Sequence, residues 1–346
     1  MNKRKKHNRV RYGVLAVLLL ATFAMMLVPG GNAFYAAHIY PIKGTVLSNI
    51  SSWVPFPIGD LFVILSFLWA ILYPLYALIN KRKKFSHALG HVVEYLLWLF
   101  VWFYWAWGLN YGQPNYYQRT GTQPMAYNEQ AFSRFAKRYV QLLNENYTEI
   151  TAKDEEKVCK NVMAAYKLHG FNRIRNIHPK IKTMLYTPLA SMVGVTGSMM
   201  PFFCEFTINR DVQPHRFAAI YAHEYAHLQG ITSEGEANFY AYLATTQSTD
   251  KSIRFSGYYD ILGHVFNNAA RLMSQEEYKA LYESLRPEIK QLIKDDRAYW
   301  EARYNQRIGD MQDWLFDKFL KYNKVSSGKK SYSEVIGLIM AYENGD

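Results

Sequence analysis

Three long apolar stretches near one end of this 346-residue chain limit what it can fold into. Residues 12–29 and 61–80 carry no charge, and residues 88–109 carry only Glu94, with His91 one helical turn before it. About 20 apolar residues are needed for a helix to cross the hydrocarbon core, and each stretch fits that length. The third is crowded with Trp, Phe and Tyr, as expected where a helix leaves the membrane through an aromatic belt. The chain therefore divides into a membrane anchor, residues 1–109, and a domain of mixed polarity, residues 110–346.

The net charge of +12 suggests a nucleic-acid surface until it is localised. Residues 1–109 hold eleven of the 40 basic residues and only two of the 28 acidic ones, Asp60 and Glu94. The remainder is close to neutral, which gives no reason to expect nucleic acid as a partner. The basic excess sits beside the apolar stretches, at the N-terminus and in the run Lys81–Lys84, whereas residues 31–57 contain only Lys43. Basic loops stay on the cytoplasmic side. The expected layout is a cytoplasmic N-terminus, residues 31–57 outside, residues 81–87 inside, and everything after about residue 110 outside. A basic start and an apolar run also fit a cleaved signal peptide; the length of the run favours a retained span, and the C-terminal domain is outside in either case. An ionisable pair within a span is a functional candidate, but His91 and Glu94 lie near the cytoplasmic end, where reaching the headgroups is the plainer reading.

Beyond residue 110 the pattern is mainly helical. Phe132, Phe135, Tyr139, Leu142 and Leu143 recur at spacings of three and four, and helical texture resumes at Pro214 and runs nearly to the end. Between 180 and 210, Gly and Pro punctuate short β-prone runs. The expected fold is mainly α: three membrane helices, then an α-rich domain with a minor β element. With two cysteines, Cys159 and Cys204, neither a disulfide framework nor a cysteine-rich metal site can form. Cys204 has no histidine pattern to make it a nucleophile and reads as a small buried hydrophobe.

The chemistry is concentrated in His223-Glu224-Tyr225-Ala226-His227. Residues four apart share a helix face, so both imidazoles can reach one zinc ion, and Glu224 can hold and deprotonate a water on it. A catalytic zinc takes a third protein ligand and keeps its fourth position open. Downstream, Gly230 can end the helix in a left-handed cap, and Ser233 with Glu236 can begin another through a capping box. A turn that tight brings the early residues of the second helix beside the zinc face of the first. Glu234 and Glu236 then compete as third ligand. Glu234 is preferred, because Asn238 one turn on is placed to hydrogen-bond a ligand histidine, but geometry alone fits Glu236 about as well.

HEYAH followed by Glu234, Ala237, Asn238 and Ala241 resembles the paired signature of gluzincin peptidases, among them the HtpX-type membrane proteases and the ImmA/IrrE-type peptidases. That resemblance implies Glu234 as the third ligand, although the six residues between His227 and Glu234 form a shorter link than in either group. The whole layout is similar to an uncharacterised family of bacterial membrane proteins defined as a domain of unknown function. It shares the three spans, Phe56-Pro57-Ile58-Gly59-Asp60 before the second span, and the His223–Ala244 pattern.

The expected activity is therefore zinc-dependent hydrolysis of peptide bonds in cell-envelope or membrane-proximal substrates. The alternative is a membrane-bound sensor or scaffold whose zinc site does no turnover. Proteolysis inside the membrane is excluded, because Arg210, Asp211, Arg216, Glu234 and Glu236 bracket the motif. A transport role finds little support in three spans with one acidic residue. The strand-like run Phe203–Asn209 is the candidate edge for an added substrate strand, with Gly194, Thr196 and Gly197 able to bring backbone close. Tyr332 is a candidate oxyanion donor.

Overall fold

The computed structural model describes residues 3–81, 84–125, 128–168, 171–175, 177–323 and 334–343. The chain separates into two compact units. The first comprises Met1–Gln113, Ile174–Leu185 and Met200–Glu205; the second comprises Pro114–Arg173, Tyr186–Met199 and Phe206–Asp346.

The first unit begins with α1 (Lys3–Leu27), which stops where Val28, Pro29 and Gly30 interrupt it; Gly30 takes a left-handed φ of 80°. The chain continues helically through α2 (Gly31–Phe34), one π-helical turn (Tyr35–Ile39) and α3 (Tyr40–Ser52). Then come α4 (Ile58–Ile79), α5 (Phe85–Ala106) and a 3-10 turn (Gly108–Gly112). Residues His7–Leu27, Ile58–Ile79 and Phe85–Ala106 are long and apolar enough to cross a membrane. The second and third begin about one turn earlier than hydropathy alone suggests.

Polar contacts define how these helices pair. Arg11 Nη2 donates to Glu94 Oε2 over 3.0 Å, and Trp105 Nε1 donates to Thr22 Oγ1 over 2.9 Å. Both links join residues 83 positions apart, so α1 and α5 run parallel in constant register. The opposite order holds between α4 and α5: Tyr95 donates to Ser66 over 2.6 Å, and Tyr73 meets the earlier His91 edge-on. These helices are antiparallel. Glu94 is thus an ion-pair partner of Arg11, with His91 Nδ1 3.7 Å away.

The Phe56–Asp60 motif has a structural job in this unit. Gly59 N–H donates to Glu205 Oε1 over 2.5 Å, and a side chain there would meet Met200. Asp60 accepts from Leu185 N–H over 2.9 Å. Glu205 is ion-paired with Lys182, which also donates to Ser51 O over 2.8 Å. Ser51, Gly59, Asp60, Lys182 and Glu205 are all buried, so the start of α4 is fastened to later segments by charges that water cannot readily compete for. The thiols of Cys159 and Cys204 are both free, and Cys204 is fully buried.

The second unit opens with α6 (Tyr116–Thr120), α7 (Glu129–Asn146), α8 (Glu155–Leu168) and α9 (Thr187–Met192). After these come α10 (Pro214–Leu228), α11 (Glu234–Thr246) and α12 (Lys251–Leu272). It ends with α13 (Gln275–Glu283), α14 (Pro287–Glu301), α15 (Gln306–Tyr322) and α16 (Val335–Glu343). The periodic face of α7 is buried at Phe132, Phe135, Tyr139 and Leu143, with Leu142 only half-buried. At the centre lies α11, packed against α8, α10, α12 and α16. Every residue from Glu234 to Thr245 is buried, which Gly235, Ala237, Ala241 and Ala244 permit by letting neighbouring backbones approach.

The β element is a three-stranded sheet, order β1–β3–β2, with β1 at Lys182–Thr183, β2 at Gly197–Met200 and β3 at Glu205–Ile208. This corrects the expectation that Phe203–Asn209 offers a free edge. Its strand, β3, has neighbours on both sides and all four residues buried, so β2 is the edge that follows the Gly-rich turn. Local pattern identifies a strand but does not give strand order.

Lys182→Met leaves the Glu205 carboxylate buried without its counter-charge and should cost about 3–5 kcal/mol. Thermal and denaturant unfolding of the full chain in detergent measures it, and Lys182→Met with Glu205→Gln should recover part of the loss.

Candidate metal centre

The α10–α11 hairpin is built from local signals. Pro214 starts α10, where its missing N–H is not needed. The helix ends in a Schellman arrangement: Gly230 has φ 91°, its N–H reaches His227 O over 2.9 Å, and Ile231 N–H reaches Ala226 O over 3.1 Å. Ser233 then caps α11 by accepting from Glu236 N–H over 3.3 Å. Only residues 229–233 lie between the helices, so the first turn of α11 returns against the last turns of α10.

That return brings His223, His227 and Glu234 together. The two Nε2 atoms are 3.0 Å apart, and Glu234 Oε2 lies 3.3 Å from His223 Nε2 and 3.5 Å from His227 Nε2. One donor atom from each residue falls within 4.8 Å of the others. The outer nitrogens are both engaged: His223 Nδ1 donates to Asn238 Oδ1 and His227 Nδ1 donates to Ile231 O, each over 2.7 Å. With Nδ1 of each ring committed to these acceptors, both Nε2 atoms converge on one spot that a carboxylate oxygen also faces. Two imidazoles, one carboxylate and hydrogen-bonded outer nitrogens form the donor set of a catalytic zinc site, and the residues fit that ion.

Of the two glutamates, Glu234 is the one that faces the histidine pair. The Glu236 carboxylate points away and is bound by Tyr116 N–H over 2.7 Å and by the Arg119 guanidinium over 2.5 Å. It is not the reciprocal capping partner that the spacing suggests. Arg119 in turn lies over the Phe171 ring, which stacks on Tyr240 at 3.9 Å. No signal near Glu236 reveals Arg119, 117 positions earlier.

Electrostatics follow from burial. Burial alone would raise Glu234, yet the charges and hydrogen bonds of His227 and His223 hold it far below the usual carboxylate range. Burial alone would lower His227, but Glu234 beside it lifts the imidazole to about 9. Glu224 is raised, chiefly because burial disfavours its charge. Its Oε2 has no hydrogen-bond partner among the described residues, which leaves that oxygen available. His264 on α12, unremarked in the sequence, lies within the field of His223, and burial lowers its pKa. Tyr332 lies outside the described residues.

The edge strand β2 starts against this site. A Cβ on residue 197 would lie 2.6 Å from Glu224 Cδ, so only glycine lets the strand pass so close. The preceding turn is fixed by Asn209, whose Nδ2 donates to Val195 O and Ser191 Oγ over 2.8 and 2.9 Å, while its N–H reaches Thr196 O over 2.9 Å. Gly194 supplies the left-handed residue of that turn, φ 73°. Gly197→Ala should therefore destabilise by about 1–3 kcal/mol through overpacking, and the cost should nearly vanish in a Glu224→Ala background. A double-mutant cycle by denaturant unfolding measures the coupling; additive costs would contradict the contact.

No curated protein and no solved structure matches this chain. A family model described as a protein of unknown function (DUF3810) matches residues 35–340, a span that includes the second and third apolar helices and the entire histidine site. The chain belongs to the DUF3810 family.

Proposed function

We propose that this protein is a membrane-anchored zinc metallopeptidase. The observation that carries the reading is the convergence of His223 Nε2, His227 Nε2 and Glu234 Oε2, beside a buried glutamate with an unpartnered oxygen. The resemblance to the gluzincin signature supports it. Zinc held by these three residues would supply Lewis acidity, polarising a scissile carbonyl and making water acidic near neutral pH.

The remaining roles belong to the chain's own groups. Glu224, with its raised pKa, accepts a proton from the attacking water and returns it to the leaving amine. Asn238 and the Ile231 carbonyl engage Nδ1 of the two imidazoles, so that each ring turns Nε2 toward Glu234. The substrate lies extended along β2, using its unpaired edge for backbone hydrogen bonds. Burial of the site keeps bulk water from competing for these contacts. Charge bookkeeping supports a cytoplasmic N-terminus, and the parallel register of α1 and α5 agrees with an odd number of crossings and an outer-side catalytic domain, residues 110–346. The substrates are then peptides or proteins of the cell envelope near the membrane.

Metal analysis of the purified full chain should find one zinc per molecule, lost in His223→Ala, His227→Ala or Glu234→Ala. Glu224→Gln should keep the zinc but reduce hydrolysis of a mixed peptide library by at least about a thousandfold. Zinc retention without turnover by the native protein would favour a sensor or scaffold, and no zinc would end the reading.

Zinc uptake should also release protons. Below about 9, His227 is protonated in the metal-free protein, so zinc must displace that proton. Affinity should thus fall as the pH is lowered from 8 to 6. Titration calorimetry at pH 7 in buffers of different ionisation heat should show release of about one proton per zinc; pH-independent binding would contradict this.

A further inference from the structure

The strongest feature outside the metal site is α15. One turn takes 3.6 residues, so Ile308, Met311, Leu315, Phe319 and Tyr322 fall on one stripe, with Trp314 at its margin. All six are exposed: Met311 by 59%, Trp314 by 61% and Tyr322 by 67%. Only Gly309 and Leu320 of this helix are buried, and they lie on another face. The patch extends beyond the helix. Tyr304 precedes it, and Leu189 of the neighbouring α9 is 62% exposed. An apolar stripe of this size in water calls for a partner.

Charge placement indicates which one. Arg307, Lys318 and Lys321 lie along one margin of the stripe, and Asp310, Asp313 and Asp317 lie beyond them on the side away from it. The Lys318 ammonium sits over the Trp314 ring at 5.9 Å. Cations between an aromatic-rich apolar stripe and an acidic outer face form the order found in helices that lie in a lipid interface, where lysine and arginine reach up to headgroup phosphates. A convex stripe suits a fluid surface, which needs no matching groove. A bilayer is part of the protein's setting, because the first unit carries three helices long and apolar enough to cross it.

We infer that α15, with Leu189 of α9, docks its apolar stripe into the headgroup–acyl boundary of the membrane. Docking has a consequence for the metal site. Asn305 N–H donates to Met192 O over 2.8 Å, and Tyr304 lies 3.9 Å from where a side chain on Gly194 would project. The start of α15 is thereby joined to the turn that leads into β2, so a docked α15 keeps the substrate edge at the lipid surface. That consequence rests on the metallopeptidase reading, whereas the docking does not.

The test uses the full chain in nanodiscs of phosphatidylcholine and phosphatidylglycerol, with and without bromine at shallow acyl positions. The fluorescence of Trp314 is isolated as the difference between the native protein and Trp314→Phe, a change at an exposed position that leaves the core intact. Docking predicts that this component is about two-fold or more weaker in brominated discs. Leu315→Asp should abolish the quenching and leave the metal content unchanged. An equal Trp314 component in both kinds of disc overturns the inference. So does a Trp314 component shielded from bromine in discs that hold two copies of the chain, which would make the stripe a surface between copies.

Discussion

Burying three carboxylates in one helical hairpin is the constraint around which the second unit is organised. Glu224, Glu234 and Glu236 all lie in the core, and an uncompensated buried charge costs several kcal/mol. Each is accommodated differently. Glu236 receives Arg119 and a backbone N–H, a complete internal solution. Glu224 has its pKa raised, chiefly by burial. Glu234 has only two imidazoles, whose outer nitrogens are held by oxygen acceptors. Its position in the first turn of α11, at the positive end of the helix dipole, helps, but by only about 1 kcal/mol. The donor atoms of Glu234, His223 and His227 lie within 4.8 Å of one another, and under the proposed function a divalent metal with an open coordination position would satisfy all three at once.

Much of this hairpin was legible because its determinants are local. The i, i+4 histidines, the left-handed Gly230, the Ser233 cap and the placement of Asn238 each depend on residues within a turn or two of one another. The signals that failed were non-local. Glu236 reads as a capping partner because the spacing from Ser233 allows it, while its actual partner Arg119 comes from a short helix far earlier. The β segment reads as a strand in the right place, but the pattern cannot say that β3 is central and β2 the edge. The significance of Gly197 emerges only when β2 is laid against Glu224.

The membrane unit shows the same division. Hydropathy located all three apolar helices, since a long uncharged run has few other fates. It did not expose why Phe56–Asp60 has its composition. Glycine at 59 and aspartate at 60 answer to Glu205, Met200 and Leu185, all from segments well over a hundred positions later. Nor did it foresee that Glu94 would pair with Arg11, a contact set by the parallel register of α1 and α5. Residues 31–52 are helical even with Pro41 and Gly44 among them, because Pro41 stands in the first turn of α3, where its missing N–H is not needed.

Zinc K-edge X-ray absorption of the purified, zinc-loaded full chain tests the central claim most directly. The account predicts two imidazole nitrogens and one or two oxygens at about 2.0–2.1 Å, with imidazole outer-shell scattering, and no protein-bound zinc in His227→Ala. A shell of water oxygens alone, sulfur at about 2.3 Å, or a spectrum unchanged by His227→Ala would contradict it.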